Sequence, residues 1–150
     1  MKRNQTMYYI DTSVLFVYTL GKNMEKERHK YVLNFFNNID SGKYKACESF
    51  YALHEILIIA FQNAPNFELG AHYAKEALLE ILKTNVYVLP LLDRDERIIH
   101  AQKFSDLRDS SDIPHAISAY VYEAKAIVAY DDHFKDISNI IPYMKPEEIE

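Results

Sequence analysis

The sequence has little cysteine and little glycine. Its 150 residues contain one cysteine, Cys47, and three glycines. A single thiol excludes an internal disulfide, which fits a reducing compartment and favours a cytoplasmic location. So few glycines argue against the glycine-rich loops of dinucleotide-binding and P-loop proteins, and neither fingerprint occurs. We therefore look elsewhere for the chemistry of this chain.

Long apolar runs are also missing. No stretch approaches the roughly 20 apolar residues that a helix needs to cross a bilayer. The basic N-terminal segment MKRNQTMYYIDTSV has a short apolar run that Asp11 interrupts, so we expect neither a signal peptide nor a membrane span. The length and a hydrophobic fraction of 49% fit one soluble domain, residues 1–150, with a core of adequate size.

Acidic residues outnumber basic ones, and the formal net charge is −5. This argues against a protein that grips nucleic acid with its whole surface. It does not exclude a nuclease. A cluster of carboxylates makes the total charge negative, and bound cations reverse that sign locally.

Apolar runs alternate with segments of helical periodicity. Strands are predicted at residues 7–10, 85–92 and 126–130, with a very short one at 44–47 and an edge strand at 139–143. Helices are predicted at residues 12–20, 25–39, 50–62, 67–83, 94–107 and 110–124. Helical crossovers between strands imply a parallel sheet with helices on both faces, and hence a three-layer α/β/α fold.

Two aspartates directly follow predicted strands, Asp11 after the first and Asp131 after strand 126–130. The carboxyl ends of parallel strands meet at one edge of the sheet, where ligands of such folds bind. Either aspartate alone could simply cap the next helix. Two at one edge weaken that explanation, and Thr12 or Ser13 could equally cap the helix after Asp11. Both aspartates are therefore candidate site residues.

Two further acids lie on predicted helices. Glu55 lies roughly opposite the main apolar face of helix 50–62, yet its neighbours one turn away are also apolar, which suggests that this helix is buried on both sides. A buried carboxylate is costly without a partner or a metal; a surface glutamate paired with a lysine is the alternative. Asp112 opens helix 110–124, where a capping role and a site role both stay open.

Four carboxylates in one pocket would repel one another strongly. Two unit charges about 4 Å apart interact by roughly 4 kcal/mol at an effective dielectric near 20. Such a cluster takes up protons or cations, and oxygen ligands favour Mg²⁺ or Mn²⁺ over Zn²⁺. Metal-activated attack of water on a phosphodiester is the chemistry that this pattern supports.

The order and surroundings of these acids resemble the PIN-domain family. Asp11 lies in YYIDTSVL, Glu55 in ACESFYALHEIL, Asp112 in DIPHAISA and Asp131 in AYDDHF, with Phe134 at the aromatic position. The similarity runs through nearly the whole chain and implies a PIN-like fold. It also implies that these four acids are catalytic and metal-binding, with Mg²⁺ or Mn²⁺ as the cofactor, and that the activity is that of an endoribonuclease.

The same resemblance implies partners and supporting residues. Many small members are VapC-like toxins that an antitoxin neutralises, and many form dimers. RNA, an antitoxin protein and a second copy of the chain are therefore expected partners. Ser13, Asp109 and Asp132 are expected to support the four acids from the surrounding positions. Ala129 departs from the usual Thr or Ser, which removes a hydroxyl that could orient a carboxylate or a water.

Two other interpretations compete with an active ribonuclease. One is a catalytically weak PIN-like RNA-binding or assembly module, which Ala129 and the negative charge favour. The other is a phosphotransfer domain of the haloacid-dehalogenase or receiver type, which also uses an aspartate after the first strand. The phosphatase version needs a second aspartate where Ser13 stands, and the receiver version needs an acidic pair earlier than Asp131-Asp132. His115 and His133 fall near the predicted site and could contact RNA or metal, or serve as ordinary surface groups.

Overall fold

A computed structural model describes residues 7–150, which form a five-stranded sheet with parallel pairing throughout. Its strands are β1 (Met7–Ile10), β2 (Lys45–Ser49), β3 (Tyr87–Leu89), β4 (Ala126–Val128) and β5 (Tyr143–Met144). Their order across the sheet is β3-β2-β1-β4-β5. The central strand, β1, therefore pairs with β2 on one side and with β4 on the other.

Helices connect the strands and cover both faces of the sheet. They are α1 (Thr12–Tyr18), α2 (Lys26–Asp40), α3 (Phe50–Gln62), α4 (Phe67–Leu82), α5 (Arg94–Ala101) and α6 (Ile113–Val121). Short 3-10 turns cover Gln102–Phe104, Ser110–Asp112, Asp132–Ile137 and Pro146–Glu148. The predicted α/β/α arrangement is confirmed. Within residues 7–150 no helix combines the length and hydropathy of a membrane span.

Each face of the sheet has its own apolar core. Successive residues of a strand point to opposite faces, so Tyr8 and Ile10 pack in a first core with α1 to α4. Tyr9 points the other way, into a second core that includes Ile117 of α6 and Phe134. The inner strands are buried on both sides, which explains why β1 and β4 read as nearly continuous apolar runs.

Several elements are shorter than the sequence predicts, because local chemistry ends them early. β3 stops at Leu89, since Pro90 has no N–H for the strand ladder. β4 ends at Val128, and the N–H of Tyr130 turns away to donate to Ser13 Oγ. The last strand covers 143–144 rather than 139–143, because residues 140 and 141 hydrogen-bond back into the preceding turn. The helix predicted at 94–107 ends at Ala101 and continues as a 3-10 turn.

Candidate metal centre

A cleft opens at the carboxyl ends of β1 and β4. The chain runs outward through β2 and β3 on one side of β1 and through β4 and β5 on the other. Such a reversal leaves a crevice between the loops that flank it. The cleft has a volume of about 500 Å³, and all four predicted site residues line it: Asp11, Glu55, Asp112 and Asp131. Their catalytic and metal-binding roles stay a prediction.

Asp11 is fixed by the first turn of α1. It is the N-cap residue, and its Oδ2 accepts both the backbone N–H of Ser13, at 3.0 Å, and the Ser13 hydroxyl, at 2.7 Å. Asp11 therefore does cap α1, so the idea that Thr12 or Ser13 could take that role was wrong. Both bonds use Oδ2, so Oδ1 is left for the cleft. Burial is the main cause of a raised pKa at this carboxyl.

Ser13 connects the ends of the two strands that border the cleft. Its hydroxyl oxygen accepts the N–H of Tyr130, just past β4, at 2.9 Å. The same hydroxyl donates to Asp11, just past β1. The Ser13 side chain thus sets the spacing of the two loops and the orientation of the Asp11 carboxylate. This geometry is consistent with the predicted role of Ser13 as a residue that holds a site acid in place.

Asp112 is free of the capping role that competed with a site role. Asp109 caps the 3-10 turn that precedes α6, accepting from the Ser111 backbone N–H at 2.9 Å and from its hydroxyl at 2.8 Å. Asp112 makes no capping hydrogen bond and is buried. Burial, followed by the charges of Asp11 and Asp131, raises the pKa of Asp112 to about 6. Both Asp109 and Asp112 line the cleft.

Asp131 lines the cleft, and His133 lies between Asp131 and Asp112. Asp131 caps the turn Asp132–Ile137 by accepting the N–H of His133 at 2.9 Å. The imidazole Nδ1 of His133 lies 3.2 Å from Asp112 Oδ2 and 3.3 Å from Asp131 Oδ1. Asp132 turns away from the cleft towards Tyr143 and Lys135. The structure therefore places Asp131 at the cleft and does not bring Asp132 there.

Glu55 approaches the cleft from α3 and is half-buried, whereas its apolar surround on the helix suggested burial. Its Oε1 lies 2.7 Å from Nε2 of His115, a fully buried side chain on α6. Burial raises the pKa of Glu55, but the hydrogen bond and charge of His115 outweigh burial, so the net pKa is lowered. The sequence placed His115 near the site without indicating this partner.

The donor set fits a hard divalent cation. Among the described residues, Arg28 is the one cationic side chain of the cleft, against six carboxylates: Asp11, Glu25, Glu55, Asp109, Asp112 and Asp131. Ligand atoms of Asp109, Asp112 and His133 all lie within 4.8 Å of one another. The charges of Asp11 and Asp131 raise the pKa of Asp112, so the carboxylates repel, and a cation would relieve that repulsion. Predominantly oxygen donors favour Mg²⁺ or Mn²⁺.

Comparison with known proteins identifies the fold. No family model and no curated protein sequence matches the chain. Among solved structures, VapC20 of Mycobacterium tuberculosis, described as a Sarcin-Ricin loop cleaving toxin, matches with a TM-score of 0.63 and 17% identity over 85% of this chain and 92% of that one. FitAcB of Neisseria gonorrhoeae matches with a TM-score of 0.68 and 15% identity, over 95% of this chain and 100% of that one. VapBC-1 of nontypeable Haemophilus influenzae matches with a TM-score of 0.61 and 18% identity, over 95% of this chain and 99% of that one.

Each match covers at least 85% of both aligned chains. The resemblance to VapC-like PIN domains that the sequence motifs indicated is therefore confirmed at the level of the fold.

Proposed function

We propose that this chain is an endoribonuclease that hydrolyses RNA phosphodiester bonds with Mg²⁺ or Mn²⁺. The observation that carries the proposal is that Asp11, Glu55, Asp112 and Asp131 all line one cleft of a VapC-like fold. These four acids would hold the cation, with Asp109 and His133 as further ligands. When bound, the cation supplies Lewis-acid activation of water and of the phosphodiester.

The chain's own residues supply orientation and phosphate contact. Ser13 holds the Asp11 carboxylate through a 2.7 Å hydrogen bond. Arg28 lines the cleft with its guanidinium 4.5 Å from the centre of the Tyr130 ring and 3.5 Å from Glu25. A guanidinium held in this way can donate two hydrogen bonds to an RNA phosphate. We therefore assign substrate binding to Arg28.

RNA cleavage tests the proposal directly. Labelled single-stranded and structured RNAs are incubated with the protein in Mn²⁺, in Mg²⁺ and in EDTA, beside an Asp11→Asn variant from an identical preparation. We expect cleavage that requires the metal and disappears in the variant. Equal cleavage by both proteins would indicate a contaminating ribonuclease and would count against the proposal.

A catalytically weak RNA-binding or assembly module is the second candidate. Ala129 favours it, because this fully buried side chain packs in the second core and supplies no hydroxyl near the Asp131 loop. RNA that binds in a mobility-shift assay, yet stays intact with every metal tested, would support this candidate over the nuclease.

A toxin role with an antitoxin partner is part of the proposal. The VapBC and FitAcB structures support it at the level of the fold. An apolar groove of about 520 Å³ between α1, α3 and α4 adjoins the cleft, and Phe16, Ile59 and Asn63 line both. An antitoxin segment with apolar side chains would fit this groove and block the cleft. We expect that expression of this chain arrests growth and that co-expression of the product of a neighbouring gene relieves the arrest. A homodimer and a cytoplasmic location stay predictions.

A further inference from the structure

Three fully buried polar side chains lie behind Glu55. Tyr9 belongs to β1, Ser49 to β2 and His115 to α6, and none has measurable solvent exposure. Tyr9 Oη lies 2.7 Å from Ser49 Oγ and 2.7 Å from His115 Nδ1. His115 Nε2 lies 2.7 Å from Glu55 Oε1. The side chains form one continuous hydrogen-bonded relay, Ser49–Tyr9–His115, that ends on the Glu55 carboxylate.

The Glu55 carboxylate sets the direction of the hydrogen bond at its end of the relay. A carboxylate can only accept, so the Nε2–H of His115 donates to Glu55. In the neutral imidazole, Nδ1 accepts from the Tyr9 hydroxyl, whose oxygen accepts from the Ser49 hydroxyl; in the imidazolium, Nδ1–H donates to Tyr9 Oη and the Tyr9 hydroxyl donates to Ser49 Oγ. Each of the buried ring nitrogens and hydroxyls thereby has a partner, which a polar group in a core requires.

Ser49 gives up an ordinary local role to take part in this relay. It occupies the N-cap position of α3 in an extended conformation, where a serine hydroxyl usually accepts an N–H of the first helical turn. No such capping bond is present. The hydroxyl contacts Tyr9 instead, so a long-range contact between two strands replaces a local one.

Aromatic rings restrict the orientation of His115. The Tyr9 ring approaches the imidazole edge-on with centroids 5.9 Å apart, and the Tyr51 ring does so at 6.4 Å. Tyr51 is itself held, because its hydroxyl oxygen accepts the N–H of Leu92 at 3.2 Å. The Nε2–H bond vector of His115 is therefore directed at Glu55 by packing as well as by hydrogen bonds.

We propose that Ser49, Tyr9 and His115 are positioning residues that hold the Glu55 carboxylate in one orientation, with Oε2 available to a divalent cation. A half-buried glutamate on its own would sample several rotamers, and ordering them costs entropy at each binding event. A hydrogen-bond donor fixed in the core removes much of that cost, as outer partners of metal ligands do in general. The inference rests on the proposed function, because it assigns Glu55 as a ligand.

Mn²⁺ binding by hydroxyl-deletion variants tests the relay. Tyr9→Phe removes only the central hydroxyl. Tyr8→Phe is the matched control, because Tyr8 is the adjacent β1 residue, points into the other core and makes no side-chain hydrogen bond within the described residues. By calorimetric titration we expect about tenfold weaker Mn²⁺ binding for Tyr9→Phe and an unchanged affinity for Tyr8→Phe. Equal affinities for Tyr9→Phe and the wild type would overturn the inference.

A double-mutant comparison distinguishes positioning from a general loss of packing. If His115 acts through Glu55, His115→Leu weakens Mn²⁺ binding in the wild-type background and adds little in the Glu55→Gln background. His115→Gln, whose amide can still donate to Glu55, should recover most of the lost affinity. Equal losses in both backgrounds would overturn the inference. Should His115→Leu fail to fold, Tyr9→Phe is made in both backgrounds with the same expectation.

Nitrogen NMR of the metal-free protein distinguishes failure of the relay from failure of the proposed function. We expect a protonated Nε2 on His115 in the wild type and a shift of the Nδ1 resonance in Tyr9→Phe, but none in Tyr8→Phe. A wild type that shows this pattern yet binds no Mn²⁺ would overturn the metal site and support the hold on Glu55. An Nδ1 chemical shift of His115 that is the same in Tyr9→Phe and the wild type would overturn the relay, whether or not the protein binds metal.

Discussion

Glu48 is a carboxylic acid inside the first core, and its burial predicts a pH-dependent stability. It lies on β2 opposite Val88 of β3, on the same face as Ala46 of that core. The side chain is 1% exposed, and neither carboxyl oxygen has a hydrogen-bond partner among the described residues. Burial raises the pKa of Glu48 from 4.5 to about 8. Glu48 is therefore neutral in the folded protein at pH 7.

The sign and size of the effect follow from proton linkage. Between pH 4.5 and about 8 the unfolded chain has lost the Glu48 proton while the folded protein retains it. The free energy of unfolding therefore falls as the pH rises, by roughly 1.4 kcal/mol per pH unit. The loss of stability over the full interval is about 5 kcal/mol, and it is complete once the pH exceeds the pKa of Glu48 in the folded protein.

Glu48→Gln isolates this contribution, because the amide has nearly the same shape and does not ionise. We expect the difference in unfolding free energy, variant minus wild type, to rise by roughly 1.4 kcal/mol per pH unit from pH 5 to 8 and then to level off. Urea denaturation followed by circular dichroism at each pH measures it. Glu76→Gln, the same change at an exposed position of α4, is the control. Parallel profiles for Glu48→Gln and wild type would refute the reasoning.

Three further perturbations have defined outcomes. Arg28→Gln should weaken RNA binding in fluorescence anisotropy and lower the slope of log affinity against log salt by about 0.7 for a single-stranded RNA, without weakening Mn²⁺ binding; an unchanged slope would exclude a phosphate contact. Ser13→Ala removes the acceptor of the Tyr130 N–H and a donor to Asp11. We therefore expect a free energy of unfolding lower by about 1–3 kcal/mol in urea denaturation, together with slower RNA cleavage. An unchanged free energy of unfolding would contradict the bridging role of Ser13. Gly70→Ala should destabilise the protein by about 1 kcal/mol in thermal unfolding although alanine favours a helix, because the new Cβ would lie 2.6 Å from the Phe61 ring. Adding Phe61→Ala to this variant should remove most of the destabilisation by Gly70→Ala. The same destabilisation with and without the Phe61 ring would contradict the steric reason.

The sequence by itself determined the layers of the fold and indicated which acids lie at one edge of the sheet. A strand period of two and a helical period of 3.6 assign each side chain to a face from its neighbours alone. Asp11 and Asp131 could be predicted at one sheet edge because each directly follows an apolar run. Glu55 could be singled out as an unusual carboxylate because its own helix surrounds it with apolar side chains.

Tertiary structure alone decided which polar atoms meet. His115 reaches Tyr9 across 106 residues and Glu55 across 60, and Tyr9 reaches Ser49 across 40. Local patterns cannot specify such pairs, since they depend on how the crossovers seat α3 and α6 against the sheet. The same reason applies to Asp112, which could leave the cap to Asp109 and enter the cleft, and to Asp132, which could turn towards Lys135. Periodicity fixes the face on which a side chain lies, and packing between distant segments fixes its partner.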